Sequence, residues 1–194
     1  MRLLLVVALI TLLVTDSNAQ KRDTVIIQYD STFTSLFARR LYDKRTPVKY
    51  TMQEFGNIRG ISVFLSKLEE LETGKVRYGV RIDARLNRNL FTDAPATKAE
   101  YIDEDELDYF IDKLNFIHEI TQTDVSSARY TEYRFYTRSG IALECYTGVN
   151  RWRVLLLYEI NKVEVSTYLN NENRLTELID VLNQIKAQIR NERK

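Results

Sequence analysis

The skeleton L-x-x-x-I-D-x-L-N-x-I is written twice in this chain, as LDYFIDKLNFI from Leu107 to Ile117 and as LTELIDVLNQI from Leu175 to Ile185, sixty-eight residues apart. The apolar positions of the first copy are Leu107, Phe110, Ile111, Leu114 and Ile117; those of the second are Leu175, Leu178, Ile179, Leu182, Ile185 and Ile189. Spacing of three and four residues places each set on one stripe of one helix, so the fold must offer two matching surfaces for burial. The charges agree. Asp103, Glu104, Asp105 and Glu106 crowd the start of the first helix, and Lys186, Arg190, Arg193 and Lys194 load the end of the second, as each macrodipole favours. Asp103 and Asn170 or Asn171 are the natural N-caps. Asp112 and Asp180 fall off the stripes, toward solvent.

Strand signals fill the space before each helix. In EELETGKVRYG, a two-residue Thr73-Gly74 loop sets Glu72 against Lys75, Glu70 against Arg77, Leu71 against Val76 and Leu65 against Ile82. In YTEYRFYTRSGIALECYT, a two-residue loop would mix the faces. A three-residue Arg138-Ser139-Gly140 loop with a left-handed glycine instead pairs Phe135 with Leu143, Tyr133 with Cys145 and Arg134 with Glu144. RWRVLLLYEI is apolar on both faces and reads as a central strand. Asn161-Lys162 then turns the chain so that Val163, Val165 and Thr167 oppose Ile160, Tyr158 and Leu156. The second helix thus follows an antiparallel meander of four strands.

Both helices follow a hairpin closed by a hydroxyl residue and glycine, and both follow a short strand ending in tyrosine and an aliphatic, Tyr101-Ile102 and Tyr168-Leu169. The order of elements therefore repeats, giving two related halves at roughly 61–120 and 129–190. The competing explanation is that any two amphipathic helices share such spacing. Where the second half has its central strand, the first has RLNRNLFTDAPAT, a segment without strand alternation that carries Leu86, Leu90 and Phe91. These pack as an irregular lid or contact a partner. The expected class is α+β: antiparallel sheet with two amphipathic helices packed on one face, built from a duplicated meander-plus-helix half.

MRLLLVVALITLLVTDSNAQ reads as a secretory signal peptide over residues 1–19, cleaved between Ala19 and Gln20. Its apolar run, Leu3 to Val14, would span only about 18 Å as a helix, against a hydrocarbon core of about 30 Å. Residues 20–194 are then a single exported α+β domain, periplasmic or extracellular, with no transmembrane segment after cleavage. Lys and Arg number 28 against 27 Asp and Glu, so no global pull toward nucleic acid is expected. The basic run of Arg39, Arg40, Lys44, Arg45 and Lys49 reads as solvated surface.

Chemistry has few parts to work with. The single histidine, His118, falls near the end of the first helix, and the single cysteine, Cys145, has the inward phase of Ile141 and Leu143. Neither a metal site nor a nucleophile–base pair is expected from them, and no cofactor or catalytic residue is assigned. Glu159 and Glu164 oppose each other beside Lys162, as a surface pair. DEDEL lacks the glycine and the final glutamate of a calcium loop.

The most suggestive surface is the outer face of the second sheet, with Tyr130, Glu132, Arg134, Tyr136 and Arg138 on one strand and Glu144 and Tyr146 on the next. Tyrosine and arginine suit interfaces, burying area while keeping a polar end. Candidate binding residues are Tyr130, Arg134, Tyr136, Arg138 and Tyr146, and the face also includes Leu155, Leu157 and Tyr168. Either DTVIIQYDS supplies an extra strand or sheet over it, or a partner does; in the second case Tyr136→Ala and Arg134→Ala leave stability nearly unchanged. The expected function is non-catalytic binding or scaffolding of an envelope protein or polymer. The rival is a carboxylate-dependent hydrolase of an envelope polymer, with its site near Leu86–Thr97.

Overall fold

The computed structural model describes residues 23–27, 35–85, 97–125, 130–160, 163–169 and 172–194. The segment read as a signal peptide, the apolar trio Leu86, Leu90 and Phe91, Lys162, and the expected caps Asn170 and Asn171 lie outside them. Strand β1 (Asp23–Ile27) and a short helix α1 (Leu36–Leu41) come first. Strands β2 (Val48–Ile58), β3 (Ile61–Glu70), β4 (Val76–Arg85) and β5 (Thr97–Asp103) then form an antiparallel sheet in that order, and a 3-10 turn, Glu104–Glu106, leads into α2 (Leu107–Thr121). The second meander, β6 (Thr131–Tyr136), β7 (Ala142–Thr147), β8 (Trp152–Ile160) and β9 (Val163–Tyr168), delivers α3 (Glu172–Glu192). The class is α+β with antiparallel sheets, and four strands plus a helix occur twice. Among the described residues no helix is long and apolar enough to cross a membrane.

The second meander has the register read from its sequence. Phe135 opposes Leu143, Tyr133 opposes Cys145 and Arg134 opposes Glu144 around a loop whose Gly140 sits at φ 89°. Ile160 opposes Val163 and Leu156 opposes Thr167, and β8 lies between β7 and β9. The segment expected to supply a strand does so in the plane of the sheet, since β1 pairs parallel with the edge of β6.

The first hairpin departs from expectation. Its turn is five residues, Leu71–Lys75, and Leu65 opposes Val80 rather than Ile82. Glu70 ends the strand early: its carbonyl accepts from Gly74 N–H at 2.8 Å, while its side chain is held by Arg40, Thr73 and Arg77. Leu71, expected opposite Val76, is 60% exposed. A slip of two residues leaves every side chain on its expected face, which is why the apolar pattern could not detect it.

The first meander begins at β2, joined to β3 by Arg59-Gly60 with φ of 47° and 85°, a primed turn that matches strand twist. The first half therefore has a counterpart to β8, namely β4 between β3 and β5. Residues 86–96 are an insertion between β4 and β5, where the second half has two residues. The Thr73-Gly74 and Ser139-Gly140 turns are not equivalent, because one closes the second and third strands of its meander and the other the first and second.

Each helix lies against the sheet of the other half. On α2, Phe116 packs edge-on to Tyr133 and Phe135 of β6, with ring centroids 5.5 and 5.8 Å away, and the helix approaches β7. The Trp152 indole of β8 donates to the Thr123 carbonyl just beyond it. Helix α3 approaches β2, and its Glu192 accepts from Lys67 of β3 at 2.7 Å and from the Tyr78 hydroxyl of β4 at 3.1 Å. One apolar cluster joins Val63, Val80, Leu143, Leu156 and both helical stripes. Burying such a side chain contributes about 1.5–3 kcal/mol before entropy is counted. Asp112 and Asp180 are exposed, as the helical phase requires.

At the crossing of α3 over β2, the backbone must come close. A Cβ on Gly56 would stand 2.9 Å from Val181 Cγ2. Gly56→Ala should therefore cost about 1–3 kcal/mol in urea unfolding, with a smaller cost in a Val181→Ala background. Strict additivity of the two substitutions would show that this crossing is not tight.

Candidate functional site

Strand alternation puts Tyr130, Glu132, Arg134 and Tyr136 on the outer face of the second sheet, beside Glu144 and Tyr146 of β7. Beneath them Ala142, Leu155 and Leu157 form a small buried cluster against which Tyr136 and Tyr146 pack. Arg134 is the centre of the polar layer. It donates to the Tyr136 hydroxyl at 3.2 Å, bonds Glu144 and pairs with Glu132 at 3.4 Å. Tyr130 donates to Glu132 at 2.7 Å, and burial raises its phenol above the ordinary tyrosine range. The Tyr130 and Tyr146 rings lie 6.2 Å apart, and the Tyr146 phenol is raised above the ordinary tyrosine range, first by burial and then by its neighbour Tyr168, which is 41% exposed.

Four of the five candidate residues are thus together, and the fifth is not. Arg138 leaves the face at the β6–β7 turn for the acidic start of α2, with Nη1 3.1 Å from Asp103, Nη2 2.5 Å from Asp105 and Nε 3.6 Å from Glu106. Three carboxylates on one short turn outcompete the solvated sheet edge for a guanidinium. Its backbone N–H also donates to Glu106 at 2.8 Å. Glu106 is buried with one oxygen unpartnered, and burial pushes its carboxyl above the usual carboxylate range.

Asp103 does not cap the helix it precedes. Its carboxylate accepts from the Ser35 hydroxyl at 2.6 Å and from the N–H groups of Leu36 and Phe37 at 2.7 and 2.9 Å, capping α1 across sixty-odd residues of chain. Phe37 is thereby fixed over Gly79, stacked on Tyr101 at 5.2 Å. The basic run is likewise divided. Arg40 bonds Glu70 at 2.8 Å, while Lys44, Arg45 and Lys49 remain exposed.

Where α1, the start of β4, the acidic turn and the end of α3 converge there is a half-open cleft of about 470 Å³. Its apolar lining is Leu36, Phe37, Val76 and Tyr78; Lys75, Arg77 and Arg193 bring positive charge, and Asp103, Glu104 and Asp105 negative. Sequence reading missed this cleft because its walls come from four separated stretches with no common motif. Its acids are committed to arginines, Glu104 to Arg193 at 2.6 Å and the other two to Arg138. That arrangement can hold charge but offers no free carboxylate pair for acid–base work.

The remaining reactive side chains are inward or at helix ends. Burial pushes the Cys145 thiol up to about 12, and His118 lies in the last turn of α2. Among the described residues no three His, Cys, Asp or Glu side chains group to hold a metal ion.

Glu70, 2% exposed, carries a pH signature. The Arg40 hydrogen bond, helped by Thr73 and Arg77, holds its carboxyl down at about 2. Because the folded value lies below the unfolded one, this stabilisation is complete above pH of about 4.5 and is lost as pH falls through about 2. Glu70→Gln should therefore lower the melting temperature at pH 6, and the gap to the parent chain should close between about pH 4.5 and 2; a gap independent of pH would contradict the ion pair. Comparison of the chain with protein-family models, curated proteins and solved structures finds no match.

Proposed function

We propose that the protein is an exported, non-catalytic binding or scaffolding module that holds an envelope component through the outer face of its second sheet. One observation carries this reading: Tyr136 and Tyr146 pack on the buried pair Leu155 and Leu157, with Tyr130 beside Tyr146, Tyr168 opposite Leu155 and Arg134 bonded to Tyr136 on the same face. Rigid aromatic rings around an apolar centre supply contact area at little entropic cost, and tyrosine and arginine are the residues protein interfaces favour. A protein occupant therefore suits the face better than a polymer does. The rival hydrolase reading puts its site near Leu86–Thr97, of which residues 86–96 lie outside the described residues; elsewhere Glu106 has a carboxyl raised by burial, but it faces the Arg138 turn and does not line the cleft.

The ion pairs change what substitution should do. Glu144 is 7% exposed and loses a guanidinium partner in Arg134→Ala, so that variant should lose on the order of 3 kcal/mol of stability. Tyr168→Ala is the cleaner probe of binding. A photo-crosslinking residue at position 168 should give discrete protein adducts in the envelope fraction of the native host, absent when it is placed at Leu71. Equal labelling at both positions, or none at 168, would count against the proposal.

A further inference from the structure

The cleft between α1, β4 and the end of α3 is separate from the tyrosine face, and its charges do not cancel evenly. On one wall the acids are answered: Asp103 accepts from Ser35, two backbone N–H groups and Arg138, Asp105 meets Arg138, and Glu104 meets Arg193. On the other wall Arg77 reaches Glu70 only at 3.4 Å, on the same carboxylate oxygen that Arg40 already holds at 2.8 Å. Lys75, in the turn before β4, is exposed and forms no ion pair among the described residues. Two cations therefore face the space without a full counter-charge, a short step from each other along the chain.

The rest of the lining is apolar. Val76 and Tyr78 belong to the same strand, Phe37 is buried against the cleft, and Leu36, 47% exposed, stands at its mouth. Arg193 closes the far side, its guanidinium 5.9 Å from the Tyr78 ring centroid. A volume of about 470 Å³ falls within the range of small-ligand sites.

We propose that this cleft binds a small amphiphilic anion, its acid group between Lys75 and Arg77 and its apolar body along Leu36, Val76 and Tyr78. A medium-length alkyl carboxylate and the carboxyl-terminal residues of an apolar peptide share this chemistry. The unmatched cations select the charge, and the apolar wall selects the body. Arg138 and Arg193 keep the acidic wall from repelling the anion.

The test is a titration of the ¹⁵N-labelled full chain, followed by amide shifts, with three probes: decanoate, N-acetyl-Leu-Leu and the uncharged decanol. Saturable shifts at Leu36, Val76 and Arg77 are expected with one or both anions, and the anion that binds identifies the source of the ligand. Decanol should bind at least tenfold more weakly. Lys75→Glu should weaken the anion about tenfold, because it sets a like charge against the acid group, while Lys44→Glu, on the exposed basic run, should leave affinity unchanged. Arg193→Glu provides a second reading on the far wall. Absence of saturable shifts with both anions, decanol binding equal to decanoate, or unchanged affinity in Lys75→Glu would each overturn the assignment.

Discussion

Val181 of α3 rests on Gly56 of β2, and Phe116 of α2 rests on Tyr133 and Phe135 of β6. These two contacts express one constraint. A four-stranded meander with one oily face needs a cover, and here each meander is covered by the helix that the other delivers. The helices also meet each other, with the acidic start of α2 against the basic end of α3: Asp108 pairs with Lys186, and Glu104 with Arg193. Charge runs that suit each macrodipole separately thus become a joint between the halves. The result is one apolar cluster drawn from both sheets and both helices.

A second layer of polar contacts fixes what the apolar core leaves free. Asp103 caps α1, and Arg138 ties the β6–β7 turn to the same carboxylate. Glu70 binds Arg40 of α1 and Arg77 of β4. Through these two acids the short α1, six residues long and too short to be stable alone, is held on the outer face of the first sheet. The cleft exists because of that anchoring, since Leu36 and Phe37 form one of its walls.

Much of this was legible in the residues. Both helical stripes, the inward phase of Cys145, the β6–β7 register and the central place of β8 followed from periodicity, because burial on one face punishes any other phase. Strand β2 did not announce itself. VKYTMQEFGNI lies at a sheet edge, much of it exposed, and a register shift between Glu54 and Gly56 breaks its alternation. The β3–β4 register was off by two because a slip of that size keeps the faces, and the contacts that accompany the observed register include one from distant Arg40 to Glu70 beside the local ones from Thr73, Gly74 and Arg77. On the outer face, the grouping of Tyr130, Arg134, Tyr136 and Tyr146 was readable from alternation. The removal of Arg138 was not, since its acidic partners stand more than thirty residues away in sequence.

Reciprocal cover has a thermodynamic consequence: neither half can lose its packing while the other keeps its own. Trp152, the single tryptophan, reports on the second sheet, and far-UV circular dichroism reports on the whole chain. Urea unfolding of a Val63→Ala variant, altered only in the first sheet, tests the point most directly. The account predicts that the Trp152 fluorescence transition shifts to lower urea by the same amount as the dichroism transition and coincides with it. A Trp152 transition that stays at the parent midpoint while the dichroism shifts would show that the two halves stand independently, and would contradict it.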